Sequence, residues 1–318
     1  MVIKSTQLPP ISPQVCSANG WRAVTESVIG ASHVQSGLPN QDKIAVAKGK
    51  AGLIVAMSDG HGGSRYVRSD RGAGFAVTTA VGELKPFIDG TASHVISRSE
   101  LESRIPQALT RRWQEAVRSD LSKSGLTDEE RTKSGVAEGD ELSCYGATLI
   151  AVVVTTTFLL YLQLGDGDIV EVDKSGNVFK PFLKDVSLLG NETMSLCSPE
   201  PSKNFRILSR VLDSDNRDEH PSVILVATDG YANCFKDEAS LLQAGKDFHD
   251  LFLRSDGVPV IRKHLHDWLR ESSDKYSGDD ISVALICGPR AQTEKSIQGG
   301  GKTNGKAQSK SGTSSRRK

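Results

Sequence analysis

Aspartates recur at the ends of apolar runs in this chain, most of them beside a glycine. Asp42 precedes the run 44–47, and Asp59-Gly60-His61-Gly62-Gly63 ends the run 53–57. Gly165-Asp166-Gly167-Asp168 follows 158–164, Asp229-Gly230 ends 223–227, and Asp279-Asp280 opens 281–287. Asp and Gly are ordinary turn residues, and any one of these sites alone reads as a turn. Five of them against buried strands read as a convergence, because strand ends of a sheet can meet at one spot. Clustered carboxylates repel and raise one another's pKa unless a cation sits among them. Oxygen donors with little His or Cys select Mg²⁺ or Mn²⁺ over Zn²⁺. A glycine beside the acid lets a backbone carbonyl approach the same ion.

The elements that must carry these acids are legible from periodicity. Runs 44–47 and 53–57 read as buried strands. The 147–164 stretch is long and apolar, but Thr155-Thr156-Thr157 interrupts it and β-branched residues dominate, so it reads as two strands rather than a membrane span. Strands are also expected at 169–172, 177–182, 205–212, 223–227 and 281–287, with a hairpin turn at Asp173-Lys174-Ser175-Gly176-Asn177. Ala73, Ala76, Val77, Ala80, Val81 and Leu84 mark one helix face. Leu101, Ile105, Ala108, Leu109, Ala116 and Val117 mark a second, which Pro106 should start or bend. Two more helices are expected near 238–252 and 260–271, loops over 122–143, and a surface flap over 183–204. Runs of strands with helices in pairs favour a mixed sandwich over a doubly wound sheet.

The chain has 318 residues and equal numbers of acidic and basic side chains, 39 each. The balance is uneven. Residues 291–318 carry seven Lys/Arg and one Glu, net +6, in a Gly/Ser/Lys composition that reads as a disordered basic tail. Residues 1–290 are therefore net −6, a poor surface for nucleic acid and a good one for cations if its carboxylates converge. Residues 1–19 read as a loose leader and 20–290 as one globular domain. Five scattered cysteines without a C-x-x-C pair, and an N-terminus with no apolar signal core, point to a reducing cytoplasm and no membrane attachment.

The ordered set Asn40-Gln41-Asp42, Asp59-Gly60-His61-Gly62-Gly63, Gly146-Ala147-Thr148, Gly165-Asp166, Thr228-Asp229-Gly230 and Asp279-Asp280-Ile281-Ser282 resembles the metal-dependent (type 2C, PPM) Ser/Thr protein phosphatases from about Gly20 to Gly288. Asn191-Glu192-Thr193 is similar to the bacterial-type branch. The resemblance implies an α+β fold: a four-layer αββα sandwich of two packed antiparallel sheets flanked by helices. It implies two Mg²⁺ or Mn²⁺ ions, with Asp42 as a ligand, Asp59 bridging both, the Gly60 carbonyl on one, and Asp229 and Asp279 on the other. Asp166, with Asp229, would match a third, weaker position. The implied reaction is hydrolysis of phosphoserine or phosphothreonine by a hydroxide bridging the two ions, with His61 protonating the departing oxygen. The implied partners are phosphorylated proteins, among them a cognate Ser/Thr kinase or its targets.

Three positions depart from the family pattern. Gly37 stands where many members carry a phosphate-gripping arginine, with His33 nearby; Asp168 follows the Gly-Asp step; Asp280 replaces a frequent asparagine. A catalytically weak phosphatase-like binding domain is the alternative, and the retained acids argue against it. A thiol phosphatase reading rests only on the spacing of Cys16 and Arg22, in a segment expected to lead into a strand rather than a helix.

Overall fold

The computed structural model describes residues 13–90, 98–182, 194–213 and 220–288. The strands are β1 (Gln14–Ala18), β2 (Trp21–Val28), β3 (Lys43–Lys48), β4 (Gly52–Ser58), β5 (Leu149–Thr155), β6 (Phe158–Leu164), β7 (Asp168–Val172), β8 (Val178–Phe179), β9 (Arg206–Val211), β10 (Val223–Ala227) and β11 (Ile281–Cys287). The helices are α1 (Ala31–Ser36), α2 (Ser69–Asp89), α3 (Arg98–Lys123), α4 (Asp128–Ser134), α5 (Asp229–Ala232), α6 (Glu238–Leu253) and α7 (Gly257–Ser272). One sheet runs β1-β2-β11-β10-β7-β8 and the other β3-β4-β5-β6-β9, and every pairing is antiparallel.

Three apolar layers hold the sandwich together. Between the sheets, Trp21, Leu53, Val55, Met57, Ile150, Val152, Ile224 and Ile286 interdigitate. Outside the second sheet, α2 and α3 bury Ala76, Ala80, Leu84, Leu109 and Trp113 against Ile54, Ala151 and Leu160. Outside the first, α6 and α7 bury Leu241, Phe248, Ile261, Leu265 and Leu269 against Val24, Val170, Leu225 and Val283. The central strands β4, β5, β10 and β11 are therefore covered on both faces. That is why β5, LIAVVVT, is apolar at nearly every position instead of alternating. Small residues on α2 let it lie close: a Cβ on Gly72 would stand 1.9 Å from the Tyr145 carbonyl oxygen. The Trp113 indole N–H donates to the Gly72 carbonyl at 3.0 Å and ties α3 to the same spot. This is the expected sandwich.

Several local expectations need correction. Residues 14–18 of the expected loose leader form β1, paired with β2 through the turn at Asn19 and Gly20, both at positive φ. Pro106 does not start α3, which begins at Arg98 and carries the proline inside it; Leu101, Leu109, Trp113 and Val117 are all buried along the same helix. The expected loop 122–143 contains α4. Its capping box, with Thr127 accepting from the Glu130 N–H and Glu130 from the Thr127 N–H, was readable as Thr-x-x-Glu. The strand expected over 177–182 pairs only at Val178–Phe179. The tail, residues 1–12, and the first half of the expected flap, 183–193 with Asn191-Glu192-Thr193, lie outside the described residues. Among the described residues, no helix is long and apolar enough to cross a membrane.

Candidate metal centre

All the singled-out acids stand at one end of the sandwich, where β4, β6 and β10 finish and β3, β7 and β11 begin. Antiparallel pairing dictates this: β4 leaves the end at which β5 enters, and β10 leaves the end at which β11 enters.

Asp59 is held by its own backbone. Its N–H donates to the Thr148 hydroxyl at 3.0 Å, and the Thr148 N–H donates to the Asp59 carbonyl at 2.8 Å. The zipper continues with a Gly60–Ala147 bridge and a His61 N–H donating to the Gly146 carbonyl at 3.0 Å. Both glycines are needed for space. A Cβ on Gly60 would stand 2.7 Å from the Ser69 carbonyl and 2.9 Å from that of Gln41, and one on Gly146 would meet the Tyr66 ring and His61.

Asp42 is buried just before β3. Its Oδ2 accepts from the Thr228 hydroxyl at 2.7 Å, while its Oδ1 is buried without a hydrogen-bond partner. Thr228 also accepts the Ser282 N–H at 3.0 Å, so one hydroxyl joins the β10 and β11 ends to Asp42. Asp229 opens α5, whose Gly230 lies so close to Asp280 that a Cβ would be 2.1 Å from its carbonyl. Asp279 follows Gly278, which caps a π-helical turn at Ser273–Ser277 with φ +71°. Asp166 follows Gly165, φ +108°.

Asp59, Asp166 and Asp229 each present an oxygen, and these oxygens lie within 4.8 Å of one another. Asp42 and Asp279 complete the ring electrostatically. Burial, followed by the charges of Asp42, Asp229 and Asp279, pushes the Asp59 carboxyl well above its ordinary range. Burial raises Asp42 to about 7 and, with Asp166 and Asp279 beside it, Asp229 to about 6. Burial raises Asp279 as well. The unpartnered Asp42 oxygen and these mutually repelling carboxylates fit a divalent cation by charge and by donor type. His61 lies beside them, its ring 5.0 Å from that of Tyr66; burial lowers its pKa and the Asp166 charge opposes the fall.

The structure thus brings Asp59, Asp166 and Asp229 into one cluster, with Asp42, Asp279, Gly60 and His61 beside it. Of the departures, Gly37 ends α1 at φ +69°, Asp168 pairs with Lys180 Nζ at 2.7 Å, and Asp280 is buried beneath the loop before β3. His33 is half-buried, its Nδ1 standing 2.9 Å from Asp280 Oδ2. Thr148 and Thr228 escaped sequence reasoning as functional residues, although each stands inside a quoted motif. Arg22 lies on β2 at the far end, and Cys16 lies within β1, where no helix follows, so the thiol reading fails. A cavity of about 500 Å³ also lies at that far end, lined by Trp21, Phe252 and Cys287, away from the acids.

The Protein phosphatase 2C description matches residues 29–270. The chain belongs to the protein phosphatase 2C family of Ser/Thr protein phosphatases and is a hydrolase of phosphoric monoesters. Its fold is similar to that of a bacterial serine phosphatase, with 15% identity, TM-score 0.51, and 83% of this chain and 96% of that one covered. It is similar to the serine/threonine phosphatase Stp1 from Staphylococcus aureus, at 13%, TM-score 0.52, covering 83% and 94%. It is also similar to the Mycobacterium tuberculosis serine/threonine phosphatase PstP/Ppp, at 14%, TM-score 0.50, covering 87% and 100%. No curated protein matches the sequence.

Proposed function

We propose that this protein removes phosphate from phosphoserine and phosphothreonine in proteins, using two Mn²⁺ or Mg²⁺ ions held by Asp42, Asp59, the Gly60 carbonyl, Asp229 and Asp279, with Asp166 at a weaker third position. The observation that carries the reading is the convergence of Asp59, Asp166 and Asp229, whose oxygens lie within 4.8 Å of one another, beside the buried Asp42 with its unpartnered oxygen. Such ions, when bound, supply a hydroxide near neutral pH and offset charge on the phosphoryl oxygens. The chain's own contribution is arrangement and proton transfer. Asp59 and Gly60 are fixed by the Thr148 and Ala147 contacts, and Thr228 orients Asp42. His61 supplies a proton to the departing serine or threonine oxygen. Burial lowers its pKa against the opposing Asp166 charge, which makes the imidazolium a stronger acid. Residues 20–290 would be the working domain and 291–318 a separate basic tail, with phosphorylated proteins of a Ser/Thr kinase pathway as substrates in the cytoplasm.

The test is phosphate release from a phosphoserine peptide and from an aryl phosphate, with Mn²⁺ and with EDTA. The reading expects both reactions with Mn²⁺ and neither with EDTA. No reaction on either substrate with Mn²⁺, while Mn²⁺ still binds, would favour the phosphatase-like binding domain.

A further inference from the structure

Asp280 is 3% exposed and its two oxygens meet three donors. Oδ1 accepts the Gly30 N–H at 2.6 Å; Oδ2 accepts the Gln41 N–H at 2.6 Å and stands 2.9 Å from His33 Nδ1. A carboxylate partner selects the tautomer in which Nδ1 carries the proton. His33 is itself seated: Ser32, one residue earlier on α1, donates its N–H to the Gly278 carbonyl at 2.9 Å. One side chain thus ties the end of β2, α1 and the segment before β3 to β11.

The placement matters because of the chain neighbours. Asp280 directly follows Asp279, and Gln41 directly precedes Asp42. The Oδ2–Gln41 bond therefore joins the backbone next to two carboxylates, one just before β3 and one just before β11. An asparagine here has one acceptor oxygen for three donors. Its NH₂ would face an N–H, so the carboxylate is the group that this set of donors requires. The acid at Asp280 thus has His33 as its side-chain partner.

We propose that Asp280 and His33 are positioning residues of the metal centre: their pair sets the spacing of Asp42 and Asp279, and so the affinity for the divalent cation. The inference rests on the metal-binding reading above. Residues that orient ligands without touching the metal typically alter affinity by roughly 10–100-fold.

The test is Mn²⁺ titration by calorimetry into metal-free wild type, His33→Asn, His33→Leu, Asp280→Asn and Asp59→Asn, each first checked for a cooperative melt. The asparagine at 33 can place its Nδ2 where Nδ1 stands. His33→Asn should therefore bind Mn²⁺ within about threefold of wild type, while His33→Leu and Asp280→Asn should bind roughly 10–100-fold more weakly. Their rate on a phosphoserine peptide should approach the wild-type plateau at high Mn²⁺, with the shift confined to the Mn²⁺ concentration required. If Asp280→Asn does not fold, His33→Leu against His33→Asn decides. Wild-type Mn²⁺ affinity in His33→Leu overturns the proposal. If Asp59→Asn binds as well as wild type, or wild type takes no Mn²⁺, the metal-binding reading itself fails, and the proposal with it.

Discussion

Replacing Asp42 by asparagine should make the metal-free protein more stable, increasingly so as the pH rises. The carboxyl titrates at about 7 in the folded chain against an ordinary 3.8, with burial as the main cause. A group whose pKa rises on folding contributes stability that is intact below its unfolded value and is lost as the pH climbs through the folded one. At pH 8 the ionised Asp42 therefore costs the metal-free fold about 4 kcal/mol, and at pH 5 about 2 kcal/mol. Asparagine keeps an oxygen for the Thr228 hydroxyl, which donates to Asp42 at 2.7 Å, and removes the charge. For a domain of this size 1 kcal/mol moves Tm by about 3 °C, so the variant in EDTA should melt roughly 10 °C above wild type at pH 8 and about 5 °C above it at pH 5. Saturating Mn²⁺ should raise the wild-type Tm and largely spare the variant, because binding to the folded state alone stabilises by mass action. Melting curves in EDTA and in Mn²⁺ at the two pH values check this. A variant less stable than wild type at pH 8 in EDTA would show Asp42 to be a structural acceptor and not a repelled ligand.

His61→Ala should slow hydrolysis of a phosphoserine peptide by about 10²–10⁴-fold and that of p-nitrophenyl phosphate far less, because p-nitrophenolate barely needs a proton to leave. Single-turnover rates at saturating Mn²⁺ give the ratio, and equal losses would leave His61 only an orienting role. Gly60→Ala places a Cβ 2.7 Å from the Ser69 carbonyl, so it should cost about 1–3 kcal/mol and weaken Mn²⁺ binding together. A Gly60→Ala protein with wild-type Tm and Mn²⁺ affinity would show that the Asp59-Gly60 segment has room to move.

The strands and the larger helices were legible because they carry single-period patterns. The continuous apolar run of 147–164 became β5 and β6, turning at the three threonines. The stripe Ala73, Ala76, Val77, Ala80, Leu84 became the buried face of α2. Short elements were harder. α1 has six residues and no buried ones, so no apolar stripe announces it, and β1 is an edge strand half open to solvent. The acids were legible by type and by their place at strand ends. Their supports were not: Thr148 and Thr228 act through hydroxyls whose partners lie 89 and 186 residues away in sequence. The His33–Asp280 bond, across 247 residues, gives no local signal at all. Only the fold brings such donors and acceptors together.

The count of Mn²⁺ bound per chain, measured on wild type and Asp59→Asn in the same samples used for phosphoserine-peptide turnover, addresses the metal centre itself. Asp59 sits among Asp42, Asp229 and Asp279, each of which raises its pKa. Wild type should bind about two Mn²⁺ per chain and Asp59→Asn fewer, with turnover in the variant lower by several orders of magnitude while its melt stays cooperative. Near-wild-type turnover in Asp59→Asn, or full wild-type turnover after the ions are stripped with EDTA, would contradict this.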